Sequence, residues 1–147
     1  MKRPFWESGL YFSCTRCSVC CRFDPGFVYL SETDFTNLLH WSELSEDDFI
    51  KKYCRWVEKN DGYEYLCLQE KPNYDCILWN EGCVAYQYRP LQCSAYPFWS
   101  SLLVDEDWWN VNATGCPGCN QGAYHAPEEI RAALLKERLQ PPIRRKK

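Results

Sequence analysis

Four cysteines fall within eight residues, Cys14-Thr15-Arg16-Cys17-Ser18-Val19-Cys20-Cys21. Side-chain packing does not need thiols at that density. Metal ligation does, because thiolates two residues apart can turn onto one ion or one cluster. A second group follows at Cys76, Cys83, Cys93, Cys116 and Cys119, with Cys54 and Cys67 between, eleven in 147 residues. Such a chain must deliver sulfur from loops and build its regular elements between and after them.

The compartment decides how the thiols are read. The start of the chain carries basic residues but no apolar run of signal-peptide length. No stretch approaches the length of a membrane span. The expectation is a cytoplasmic protein, where closely spaced cysteines are metal ligands more often than disulfides. Eleven is also odd, so complete pairing would leave one thiol over. The net charge of −3 argues against nucleic-acid binding as the main role. Residues 1–140 are expected to form one metal-binding domain, and residues 141–147 a basic disordered tail.

The pattern between the cysteines predicts short elements. Residues 10–29 read as loop with short turns. Residues 30–41 read as a helix capped by Ser31 or Thr33, with Phe35, Leu38 and Leu39 on one face. A second helix starts at Ser45, with Phe49, Ile50, Tyr53 and Cys54 as its apolar stripe. Runs at 55–59 and 63–68 around Asn60-Asp61-Gly62 predict a hairpin. A second hairpin is expected from 98–104 and 108–111, flanking Asp105-Glu106-Asp107. Residues 115–122 read as a loop rich in glycine and cysteine. A last helix is expected from Pro127 to Leu139, with acids at its start, bases at its end and Pro141-Pro142 as its stop. The predicted fold is a small, loop-rich α+β domain of short helices and β-hairpins, stabilised by metal around the cysteine cluster.

The cysteine run has the Cys-x2-Cys-x2-Cys spacing of ferredoxins, and Cys116-Pro117 matches the Cys-Pro that ends the ferredoxin motif. The adjacent pair Cys20-Cys21 departs from it. The block Cys83-Val84-Ala85-Tyr86-Gln87-Tyr88-Arg89-Pro90-Leu91-Gln92-Cys93, preceded by Cys76-Ile77-Leu78 and followed by Pro97-Phe98, adds a second motif. Together these resemble the YkgJ-type cysteine-cluster family, described as a zinc- or iron-chelating domain with a Cys-x2-Cys-x2-Cys-Cys signature. The resemblance covers roughly residues 12–120. It implies eight ligands: Cys14, Cys17, Cys20, Cys21, Cys76, Cys83, Cys93 and Cys116. Ser94 stands where many members have Arg, and Ala85 where Ile is usual.

The remaining features have blander readings. Cys54 and Cys67 read as buried small hydrophobes. Cys119 is either a further ligand, from its spacing to Cys116, or a spare thiol. His40 and His125 read as structural or exposed. Arg89 would offset part of the negative charge of a thiolate centre if it is fixed beside Cys83 and Cys93, or else it is a surface arginine opening a turn. The aromatic set Trp79, Tyr96, Phe98, Trp99, Trp108 and Trp109 reads mainly as core packing. No phosphate loop or catalytic triad is evident, and whether the chain is an enzyme stays open.

The site itself has two readings. One is an iron–sulfur centre, favoured as [4Fe–4S], in a redox or accessory protein with a protein redox partner. The other is zinc, in a structural interaction or metal-handling module without catalysis. Neither the number of centres nor the electron partner is encoded in the spacing.

Overall fold

The computed structural model describes residues 3–14, 27–80, 83–113 and 116–147. The chain has an α+β fold. It divides into two compact units, one of Met1–Val19 with Ala95–Leu139 and one of Cys20–Ser94 with Gln140–Lys147.

In the first unit, strand β1 (Leu10–Phe12) runs antiparallel to β4 (Cys119–His125). The loop expected over 115–122 is therefore strand from Cys119 onward, and the loop expected from residue 10 begins as strand. Helices α4 (Glu106–Ala113) and α5 (Pro127–Leu139) belong to the same unit. Trp6, Leu10, Phe98, Leu103, Trp109, Cys119 and Ile130 form its core. α5 has the bounds its Pro127 start and charge pattern predict. The second predicted hairpin is absent, because Asp105 opens a helix where a turn was expected. Its carboxylate accepts the Trp108 amide at 2.8 Å and its carbonyl accepts the Trp109 amide. A side-chain acceptor at that position satisfies an amide that the first helical turn leaves without an internal partner, so the following residues coil.

The second unit holds helices α1 (Glu32–Ser42), α2 (Glu46–Tyr53) and α3 (Leu91–Ala95), with a sheet of β2 (Cys54–Glu58), β3 (Tyr63–Leu68) and β5 (Arg144–Lys146) in the order β2-β3-β5. Ser31 caps α1 through a reciprocal box with Asp34, and Ser45 caps α2 by accepting the Asp48 amide. The β2–β3 hairpin turns where Asn60-Asp61-Gly62 predicted, with Gly62 at φ +82°. Cys54 belongs to β2 and not to the stripe of α2. The α2 helix stops at Tyr53, and Cys54 is extended at φ −117°. Leu30, Phe35, Leu38, Phe49, Cys54, Leu66, Leu68 and Leu78 form the core between the helices and one face of the sheet.

The tail expected to be disordered instead completes this sheet. Arg144, Arg145 and Lys146 pair with Tyr65, Glu64 and Tyr63. Ile143 bonds Leu66 and Leu30 through its carbonyl and amide. The half-buried Ile143 packs against the core and fixes the segment. Four consecutive bases hid that anchor, because their composition alone looks solvated.

Candidate metal centre

The segments of the five described ligand candidates are held by backbone and side-chain hydrogen bonds. In the first unit, Ser13 donates its amide to the Gly118 carbonyl at 3.2 Å, and Cys119 closes a turn onto the Cys116 carbonyl at 3.1 Å. The Ser13 hydroxyl accepts the Ala123 amide at 2.8 Å. These bonds lay the segment of Cys14 alongside the loop of Cys116. Gly118 permits the approach, since a Cβ there would run into the Ser13 carbonyl oxygen. Cys14 is exposed and Cys116 half-buried.

In the second unit, Cys76 and Cys83 stand at the two ends of one tied loop. Trp79 donates to the Cys76 carbonyl, Val84 to Leu78, and Trp79 pairs with Cys83 in an isolated bridge. The approach to Cys76 is stiffened by Lys71 donating to the Asp75 carbonyl and by mutual bonds between Asn73 and the buried Asp75. Both cysteines are half-buried.

Cys93 lies on α3, whose start is fixed by a carboxylate from α1. Asp34 is 6 % exposed; one of its oxygens accepts the Ser31 amide at 3.1 Å and the other the Leu91 amide at 2.9 Å. The next residue, Gln92, forms a clamp. Its amide nitrogen donates to the Phe27 carbonyl at 2.6 Å and its oxygen accepts the Tyr29 amide at 3.1 Å. Phe27 to Tyr29 is the segment that leaves the cysteine run. Sequence reading missed both roles. Asp34 looked like one more acid in a helix start, and Gln92 carried no signal beyond standing next to Cys93.

Cys17, Cys20 and Cys21 lie outside the described residues. Among those described, no three His, Cys, Asp or Glu side chains converge on one ion. The donor set still fits a thiophilic metal. Five of the eight matched cysteines are described, on anchored loops or on the short α3, and none of the five is fully buried.

Cys54 and Cys67 contrast with them. Both are buried in the sheet. Burial, then the neighbouring Cys67, pushes the Cys54 thiol up to about 12. Burial is also the main cause raising Cys67, whose thiol donates to the Leu68 carbonyl. A thiol that resists losing its proton is a poor ligand, and both residues pack as small hydrophobes. Cys119 is buried in the core of the first unit.

Of the two histidines, one is exposed and the other is hydrogen-bonded through both ring nitrogens. His40 is exposed on α1, its ring 6.0 Å from that of Tyr88. His125 spends one ring nitrogen on Glu129 and the other on the Phe12 carbonyl, each at 2.9 Å. Arg89, between Cys83 and Cys93, donates to the Tyr86 carbonyl at 3.0 Å and lies 3.9 Å over the Tyr86 ring. Among the aromatic set, Phe98 and Trp109 are core residues, while Trp108 is half exposed and donates to the Ser101 carbonyl.

A family model of the "putative zinc- or iron-chelating domain", CxxCxxCC, matches residues 13–121. The chain belongs to the CxxCxxCC family. The match runs from the first cysteine segment past Cys119, so it includes every cysteine of the resemblance. For this CxxCxxCC protein it supports metal binding, with zinc or iron as the metal. No solved structure matches the chain. No helix among the described residues is long and apolar enough to cross a membrane.

Proposed function

We propose that this CxxCxxCC protein is a cysteine-ligated iron–sulfur protein with a redox or accessory role, its ligands drawn from Cys14, Cys17, Cys20, Cys21, Cys76, Cys83, Cys93 and Cys116. The observation that carries the reading is the ferredoxin-like run together with Cys116-Pro117, supported by the Ser13–Gly118 bond that sets the Cys14 and Cys116 segments side by side. When bound, such a centre supplies one-electron chemistry. The protein's own part is mechanical and electrostatic. Thiols on anchored segments would bind the metal as thiolates, releasing their protons to water, and Asp34 and Gln92 hold the α3 segment that bears Cys93. In this reading Arg89, already oriented by Tyr86, offsets part of the charge of the thiolates.

The deciding experiment is anaerobic purification followed by visible absorption, metal analysis and acid-labile sulfide. A brown protein with sulfide and about four iron per chain supports the reading. A colourless protein with zinc and no sulfide overturns it in favour of a structural zinc module.

A further inference from the structure

We propose that the outer face and open edge of the β2-β3-β5 sheet form a docking surface for an extended acidic peptide segment of a partner protein. One face of this sheet packs on the helices through Cys54, Trp56, Leu66 and Leu68. Side chains alternate along a strand. The register therefore puts Tyr63, Tyr65, Arg144 and Lys146 on the opposite face.

The cations of the two faces differ in their carboxylate partners. On the helix side, Arg145 pairs with Glu64 and also lies 3.9 Å over the Trp56 ring, and at the strand end Lys147 pairs with Glu58. On the outer side, Lys59 and Arg144 lie on aromatic rings. Lys59 sits 4.3 Å from the Tyr29 ring centre and 4.4 Å from that of Tyr65, and Arg144 lies 4.1 Å over Tyr63. Among the described residues, neither Lys59 nor Lys146 has an ion-pair carboxylate. The acids on this side are Glu70, which binds Arg55, and the exposed Asp61, which accepts the Tyr65 hydroxyl and faces Arg144. The unit's other exposed acids include Glu32, Glu43, Glu46, Asp47 and Asp48, on and between α1 and α2. A ring beneath a cation holds it in place at little cost in side-chain freedom, with its outward N–H groups ready for an anion.

β5 is an edge strand, so an incoming chain can pair with its backbone. Arg144 and Lys146, two residues apart on one face, ask for carboxylates at alternate positions of that chain. The ring faces are already covered by cations, which favours peptide carboxylates over stacked nucleobases.

The test uses the full-length protein with its metal bound. A fluorescein-labelled Thr-Glu repeat peptide is titrated and followed by anisotropy, beside the same peptide N-methylated at alternate residues and a single-stranded oligothymidine of equal charge. Binding of the unmodified peptide, with a Kd at least about tenfold weaker for N-methylation and for Lys59→Gln/Arg144→Gln/Lys146→Gln, is expected. Peptide-induced shifts of the Arg144 and Lys146 amides, which point away from β3, give a readout in the unaltered protein that is independent of the variant. Absence of binding would mean the charges only guard the edge against aggregation, and would overturn the proposal. Indifference to N-methylation or to the triple variant would overturn it too, as would tighter binding of the oligonucleotide.

Discussion

Asp34 ties two helix starts together with one buried carboxylate. Its two oxygens serve the starts of two helices, α1 at Ser31 and α3 at Leu91. Asparagine offers one acceptor and one amino group, so Asp34→Asn leaves one buried amide facing a donor. Urea denaturation should show a loss of about 1–3 kcal/mol. If α3 is held for the sake of Cys93, metal affinity should fall with it, read by competition with a chromophoric chelator. Cys54 makes a prediction of different sign. Below its ordinary value of 9.0 the thiol is protonated in both folded and unfolded chains. Between 9.0 and about 12 only the unfolded chain gives up the proton, so stability falls as pH rises through that window. The apoprotein's unfolding midpoint, followed from pH 8.5 to 11, should therefore drop more steeply than that of Cys54→Ala. The difference is at most about 1.4 kcal/mol per pH unit. Metal content of Cys54→Ala and Cys67→Ala should stay at the level of the unaltered protein.

Elements with local signals were legible in the sequence. Ser31, Ser45, Pro127 and Gly62 each mark a boundary through a cap, a fixed φ or a positive φ, and the elements follow there. Where two local signals competed, the reading failed. Asp105-Glu106-Asp107 suits a turn as well as a helix start, and the amide of Trp108 decides for the helix. β4 and β5 were missed because their partners are far away in sequence: β1 pairs with β4, and β3 with β5. No window of neighbouring residues carries that information. Two tests belong at this scale. Gly118→Ala forces the Cys116 loop off Ser13 and should cost more than about 2 kcal/mol, with loss of bound metal on purification. Removing residues 143–147 takes away the Ile143 bonds and the β5 ladder. The thermal midpoint should fall by several degrees in calorimetry, where a disordered tail would leave it unchanged.

At the scale of the whole molecule, the two cysteine motifs were enough to reach the family, and the helix caps and hairpin turn to reach the α+β class, because both are written in short stretches of the chain. The supports around the cysteines were not legible, since Asp34, Gln92 and Gly118 act through contacts made only after folding. Metal binding should be coupled to folding, because Cys76 and Cys83 pack against the core of one unit and Cys116 against that of the other, so a metal held by any of them ties directly to that core. Stripping the metal should lower stability by at least about 3 kcal/mol, measured by calorimetry of loaded and stripped protein. The shared carboxylate of Asp34 also has a kinetic consequence. The amides of Ser31 and Leu91 lie far apart in the chain but close on the same side chain. In deuterium exchange they should open as one event, slowing together when the cysteine on α3 is held and quickening together when it is released.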